Sequence, residues 1–339
     1  MRAAKLLDPG KVALLDVEEP EPNADEVKVR VQLCGICGSD LHAYRGEREP
    51  GFHLGHEICG VVEKVGRKVS GLVVGDRVCA ECCSYCGRCR YCARGDYNLC
   101  EDLAYMSGQE HGALADKVVL PAHTVYTVPE SLSDADVMMV EPLAVAFRSV
   151  TRSRATDSLA VIGAGTIGLL CVAVAKARGV GRVLCVAKHP HQVAMAQQLG
   201  ADRVIVLGRQ DPVAAVREEI PDGVVSVIDC AGRGASFSQA CAMLRKQGRA
   251  VLTGAVTDPL MVDLTPLLMG ELELTGSCDY GVTEGRPDFA WAIEMIRDEQ
   301  VHPDRLVTHT FALESVDEAF RVADDKSTGA IKVAVCMAD

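Results

Sequence analysis

The residues able to do chemistry concentrate between Gly35 and Glu57. The run Gly35-Ile36-Cys37-Gly38-Ser39-Asp40-Leu41-His42 is followed, after a short polar loop, by Gly55-His56-Glu57. Cysteine, histidine and glutamate supply the S, N and O donors that zinc accepts in a catalytic site. A lone cysteine is more often a small buried hydrophobe, and a lone histidine a satisfied core residue. Here three donors occur together, and glycines beside Cys37 and His56 let the backbone turn distant groups onto one ion. Ser39 and His42, just beyond the cysteine, can both pass protons. Asp40 fits two roles: a carboxylate holding a metal-bound imidazole by its other nitrogen, or the cap of a turn.

A second donor cluster follows: Cys79, Cys82, Cys83, Cys86, Cys89, Cys92 and Cys100. Two registers compete. Cys83, Cys86, Cys89 and Cys92 form an evenly spaced ladder like part of a ferredoxin run. Such a run ends in a cysteine three residues on followed by proline, and Gly95-Asp96 stands there instead. Cys86, Cys89, Cys92 and Cys100 place three close thiolates and a later fourth, enough to wrap a tetrahedral zinc. This second register is the favoured one. It leaves no open coordination position, so its zinc is structural. Arg88, Arg90 and Arg94 are expected to soften the thiolate charge. Glu141, between Val140 and Pro142 in an apolar segment, reads as a helix-start charge, a further metal donor, or a base beside the metal's water.

The third motif is Gly163-Ala164-Gly165-Thr166-Ile167-Gly168, after the apolar run Ser158-Leu159-Ala160-Val161-Ile162 and before an alanine-rich helical stretch. Glycines at this spacing allow a tight turn, close approach of a pyrophosphate, and close helix–strand packing. The unpaired N–H groups of the helix start then meet the phosphates. The next strand, Arg182 to Val186, ends in Ala187-Lys188-His189, where an NAD site usually carries an acid for the adenosine ribose. A lysine there attracts a 2′-phosphate, so NADP is expected ahead of NAD. Arg233, in Gly232-Arg233-Gly234, is a further candidate that spacing alone does not place.

The elements that must position these groups change character along the chain. Up to about residue 145 the pattern is β-rich, with Val27-Lys28-Val29-Arg30-Val31 alternating strictly, and strands expected at Ile58 to Val62, Val73 to Val78, Ala113 to Leu120 and Val125 to Val128. From about residue 146 strands and helices alternate through Leu272-Glu273-Leu274-Thr275-Gly276, which predicts a doubly wound parallel sheet. A helix, a strand near Val307, another helix and a strand Ile331-Lys332-Val333-Ala334-Val335 finish the chain. With 339 residues, two domains are expected. The fold class is α/β: residues 1–145 a catalytic β-rich domain carrying a structural-zinc lobe at 79–105, residues 146–280 the dinucleotide-binding domain, and residues 281–339 a tail that extends the sheet or returns to the first domain.

Composition is that of a globular protein, 48% hydrophobic and 24% charged. A net charge of -12 argues against nucleic acid or an anionic membrane as partner. Asp8-Pro9-Gly10 arrives too soon for a signal peptide, and no apolar run is long enough to span a bilayer. A cytoplasmic location is expected, where 16 cysteines are metal ligands or buried thiols rather than disulfides.

Together these motifs resemble the zinc-dependent alcohol and polyol dehydrogenases, sorbitol-like members included, of the medium-chain dehydrogenase/reductase superfamily. The resemblance runs through the whole chain in order. Its marks are Gly35 to Asp40, Gly55-His56-Glu57, the Cys86/Cys89/Cys92/Cys100 lobe, Glu141-Pro142-Leu143, the glycine loop at 163–168 and Thr308-His309. It implies a GroES-like catalytic domain, a Rossmann cofactor domain, and a tail after about residue 280 that returns to the former, with the cofactor in the cleft between them. It implies two zinc ions per chain, the catalytic one on Cys37 and His56 with Glu57 or Glu141 completing the set. It implies cofactor contacts from Gly163, Gly165, Thr166, Ile167, Gly168, Ala187, Lys188 and His189, and a homo-oligomer, dimer or tetramer.

The mechanism expected from the resemblance has zinc polarise the substrate oxygen while hydride passes between substrate carbon and nicotinamide. Ser39 takes the hydroxyl proton, and a relay through the nicotinamide ribose hands it to His42 and solvent. Two departures bear on the substrate. Where related polyol dehydrogenases carry arginine before a tyrosine, this chain has Asp279-Tyr280, and where an aromatic is common it has Lys117. If these face the pocket, Asp279 and Lys117 could pair, or Asp279 could favour an amino-polyol. The leading reading is an NADP-preferring oxidoreductase of secondary alcohols or polyols and their ketones. The alternatives are an NAD-dependent enzyme of the same type acting on amino-polyols, a non-catalytic zinc- or nucleotide-binding protein on this fold, and an iron–sulfur carrier.

Overall fold

The computed structural model describes residues 1–47, 53–106, 112–256, 259 and 261–337. Two compact units divide the chain: Met1–Glu141 with Phe289–Asp339, and Pro142–Asp288.

The first unit is built on one long strand, Glu26–Gly35. Glu57–Val65 runs antiparallel along one side of it, while Lys117–Pro121 and Lys332–Cys336 share the other. Val307–Ala312 lies outside Lys332–Cys336, and Arg77–Ala80 and Val125–Thr127 extend the opposite edge, giving a seven-stranded sheet. The alternation of Val27, Val29 and Val31 drives those side chains into a core with Ile58, Val62, Val118 and Leu120. Lys28 on the other face is not solvated as its alternation suggests. It is buried, its ammonium taken up by Glu19 at 2.6 Å and Glu21 at 3.0 Å.

Register is what matters for function. Gly35 stands opposite Glu57 on one neighbour and opposite Ala334 on the other. The ends of three strands distant in sequence therefore meet in one row. The strand expected from Val73 begins only at Arg77. Val73 and Val74 are exposed in a turn whose carboxylate, Asp76, accepts the Val73 N–H at 2.7 Å. Glu141 and Pro142 stand in the first turn of the helix Val140–Ser153, where a proline's missing N–H has no partner to lose.

In the second unit six parallel strands stand in the order Arg203–Val206, Arg182–Ala187, Ser158–Ile162, Val224–Asp229, Leu244–Leu252 and Glu273–Gly276. Helices connect them, as strands parallel along a sheet require. All five residues of Ser158–Ile162 are buried, as a central strand of such a sheet should be. The order reverses on either side of that strand, the topology of a Rossmann sheet, which places ligands at the carboxyl ends of the strands. Among the described residues no helix is long and apolar enough to cross a membrane.

Candidate active site

Cys37 stands two residues past the end of the long strand and caps the helical turn Gly38–His42. His56 immediately precedes Glu57–Val65. The clamp between the two loops is Asp40. Its carboxylate accepts the N–H of Cys37 at 2.9 Å and of Gly55 at 3.0 Å. Asp40 is thus a backbone cap joining the loops, not the group that orients the imidazole: Nδ1 of His56 is buried and has no hydrogen-bond partner among the described residues.

One donor atom each from Cys37, His56 and Glu57 falls within a set whose members lie within 4.8 Å of one another. Burial works against a charged His56 imidazole, but Cys37, Asp40 and Glu141 outweigh it and raise its pKa well above the ordinary value. A buried pocket so anionic that it favours protonating its histidine is one suited to a cation. The orphaned nitrogen and the S, N, O donor set fit zinc.

Glu57 needs help to be buried. Lys332 Nζ donates to both its oxygens, at 2.7 and 2.6 Å, and to the Ile36 carbonyl at 3.0 Å. For Lys332 itself burial opposes the charge, and Glu57 with Cys37 more than restores it, so its pKa lies above the usual lysine value. Each Glu57 oxygen keeps a lone pair free for a metal. Gly35 provides the room, since a Cβ there would stand 2.0 Å from Glu57 Oε2. Lys332 was not singled out from the sequence. Its signal was a lysine inside the apolar strand Ile331 to Val335, a position that only an ion pair makes tolerable. Glu141, at a helix start and buried, joins the site through its charge, which acts on both His56 and Lys332.

The four cysteines of the lobe converge. Sγ of Cys89 lies 3.5 Å from that of Cys92 and 3.9 Å from that of Cys100. Tetrahedral ligands about 2.3 Å from zinc stand about 3.8 Å apart. Backbone N–H groups of Cys86 and Asp102 point at Cys100 Sγ, at 3.2 and 3.3 Å. Those of Cys92 and Glu101 hold the Cys89 thiol down to about 6, while burial and the thiols of Cys89 and Cys100 push Cys92 up to about 12. Four sulfurs this close cannot all ionise without a cation between them. The arginines do not neutralise them. Arg88, Arg90 and Arg94 reach Asp102, Glu101 and Asp96 at the surface instead.

In the second unit the glycine loop leaves Ser158–Ile162 and enters the helix Thr166–Ala177. Gly168 packs so closely that a Cβ would stand 1.8 Å from the Gly163 carbonyl oxygen. Gly165 is exposed at the N-cap, Thr166 and Ile167 are half-buried in the first turn, and Gly163 turns with φ 97°. The strand end, turn and helix start expected of a pyrophosphate cradle are all present.

Comparison with known proteins agrees with this arrangement. Residues 23–130 match the family "Alcohol dehydrogenase GroES-like domain", and residues 166–298 match "Zinc-binding dehydrogenase". An L-idonate 5-dehydrogenase of Vitis vinifera is 32% identical over 91% of this chain and 87% of its own. A sorbitol dehydrogenase of Halalkalibacterium halodurans is 31% identical over 96% of this chain and 95% of its own. The solved structure of an alcohol dehydrogenase from Thermus sp. ATN1 superposes with a TM-score of 0.90 over 100% of both chains at 31% identity. The chain belongs to the zinc-dependent alcohol and polyol dehydrogenases of the medium-chain superfamily.

In this dehydrogenase Ser39 and His42 share the helical turn Gly38–His42, three residues apart and hence on one face. Ser39 is exposed and His42 half-buried, with Nδ1 2.9 Å from Glu47 Oε2. The adenosine-side candidates also sort themselves. Ala187 is buried at the end of its strand, Lys188 is exposed beyond it, and His189 caps the helix Pro190–Gln198. Arg233 stands at the start of the helix Gly234–Met243, in a loop shaped by Asp229, whose carboxylate accepts from Ala231, Gly232 and Ser236. Asp229 was another residue the sequence reading passed over.

Among the substrate-pocket candidates, Lys117 gives its ammonium to Glu19 and Glu63, both at 2.9 Å. Tyr280 is wholly buried and has no surface to offer a ligand. Asp279 is half-buried in a left-handed conformation, φ 48°.

Proposed function

We propose that this dehydrogenase interconverts secondary alcohols or polyols and their ketones, prefers NADP(H), and holds two zinc ions. The convergence of Cys37, His56 and Glu57 carries the reading of the reaction. When bound, zinc supplies a Lewis acid to the substrate oxygen and the nicotinamide takes or gives the hydride.

The chain's own residues do the rest. Cys37 and His56 hold the catalytic ion. Glu57 completes the set, since its oxygen lies among the donors, and Lys332 holds that carboxylate in place. Glu141 balances charge from the helix start. Ser39 takes the hydroxyl proton in oxidation, and His42, half open to solvent, carries it outward. Zinc content of Glu57→Gln and Glu141→Gln checks the division of labour: the first is expected to lose the catalytic ion and the second to keep it.

The preference for NADP rests on Lys188, an exposed cation where an acid would repel a 2′-phosphate. A charge-assisted hydrogen bond is worth about 1.5–3 kcal/mol, so kcat/KM with NADP is expected to exceed that with NAD about tenfold or more. Equal or better turnover with NAD overturns this. The screen should span simple ketones, polyols and amino-polyols. With Lys117 engaged elsewhere and Tyr280 buried, plain polyols are expected to outrun amino-polyols.

The chain also works as a homo-oligomer on this proposal. The strand Glu273–Gly276 is the edge of its sheet, and near it in sequence Met261, Leu268 and Met269 are 98%, 77% and 72% exposed. Exposed apolar side chains and an open strand edge both suit a second copy. Light scattering should report a dimer or tetramer, and Leu268→Glu with Met269→Glu should shift the mass toward the monomer.

A further inference from the structure

A groove of about 500 Å³ runs between the helix Pro190–Gln198 and the turn that follows Arg203–Val206. Val193 and Gln197 form one wall and Leu207 the other, with Lys188 and Arg209 also lining it. The two strands that feed it are adjacent and in register. Ala187 stands opposite Val206, and the Leu207 N–H donates to the Ala187 carbonyl at 2.9 Å. Lys188 and Leu207 therefore leave the sheet side by side. A turn at Gly208, with Arg209 N–H donating to the Val206 carbonyl at 3.1 Å, then brings Arg209 back to the same groove.

Neither cation is spent. Both side chains are exposed, and neither makes an ion pair or side-chain hydrogen bond among the described residues. No carboxylate lines the groove. It opens at the carboxyl ends of the strands, where a sheet of this order binds its ligand. Arg233 is less well placed to join Lys188. Its strand lies two places away in the sheet, roughly 10 Å at the usual strand spacing, whereas the strand before Arg209 is the immediate neighbour.

We propose that Arg209, together with Lys188, holds the 2′-phosphate of NADP(H), so that cofactor choice is set by two adjacent strand ends rather than by Lys188 alone. This rests on the NADP reading above. A 2′-phosphate carries nearly two charges and several acceptor oxygens, so one ammonium leaves it half-compensated. Arginine adds a planar fork matched to phosphate geometry.

The test is calorimetric binding of 2′,5′-ADP and 5′-AMP, which differ by that phosphate, to the intact zinc-loaded protein and to its Arg209→Gln and Lys188→Gln variants. The wild type is expected to bind 2′,5′-ADP about tenfold or more tightly than 5′-AMP. Arg209→Gln should weaken 2′,5′-ADP about tenfold and leave 5′-AMP within about twofold, and the double variant should bind the two alike. If the wild type does not prefer 2′,5′-ADP, the NADP reading fails and this inference with it. If the preference exists but survives Arg209→Gln, the NADP reading stands and the role of Arg209 is refuted. Equal weakening of both ligands would show a structural effect on the groove and refute it too.

Discussion

Cys37→Ala should abolish turnover while leaving the fold intact. Cys37 lies in a half-buried loop at the end of a strand, outside the packed core of its unit. Removing its thiol leaves His56 and Glu57, a nitrogen and a carboxylate, to hold an ion that such sites bind with three protein ligands. The loss of Lewis-acid stabilisation amounts to several kcal/mol, and each decade of rate costs about 1.4 kcal/mol, so kcat/KM should fall at least about 1,000-fold. Elemental analysis should drop from two zinc ions per chain to one, with far-ultraviolet circular dichroism unchanged. Cys89→Ala is the matched control: it should lose the other zinc. A Cys37→Ala protein that keeps both ions and most of its activity would remove the catalytic centre from the account.

Lys332→Met should be the most destabilising single substitution near the site. The ammonium and its partner Glu57 are 3% and 1% exposed. Methionine has nearly the right shape but leaves a buried carboxylate without its cation and the Ile36 carbonyl without its donor. Breaking a buried pair on one side costs about 3–5 kcal/mol, against the smaller cost of replacing both partners. Urea unfolding of protein stripped of its catalytic zinc should show that loss. Adding Glu57→Gln to Lys332→Met should recover part of the stability and none of the activity, because the carboxylate is needed for chemistry. Wild-type stability in Lys332→Met would mean that Glu57 is neutral or solvated in the fold.

The ligands were legible because chemistry restricts residue type as well as spacing. Zinc accepts few donors, a thiolate tetrad is recognisable by its intervals, and a pyrophosphate loop needs glycine at set positions. The Rossmann order followed from strand–helix alternation, since parallel neighbours require crossovers. Less legible were the partners that sequence distance hides. Lys332 lies 275 residues from Glu57, and nothing local announces that the last strand will pair beside the long one. Asp40 fitted two roles in the sequence, keeper of an imidazole or cap of a turn, and its bonds to the Cys37 and Gly55 N–H groups make it the clamp of two loops, a choice that depends on how Gly55 approaches. Arg88, Arg90 and Arg94 were expected at the thiolates. On exposed loops they meet nearby carboxylates more readily than sulfurs already wrapped in backbone N–H groups.

The stretch from Gly35 to Glu57, with the cysteine lobe and the glycine loop, specified the kind of chemistry, because those residue types at those intervals serve few other ends. Tertiary structure decided how that chemistry is held. Pairing of Gly35 with both Glu57 and Ala334 sets a buried lysine against the carboxylate. The adjacent ends of Arg182–Ala187 and Arg203–Val206 bring Arg209 to the groove of Lys188. Such assignments depend on strand order and register, which arise from long-range packing: a lysine in an apolar strand signals that a partner exists, but not which residue it is.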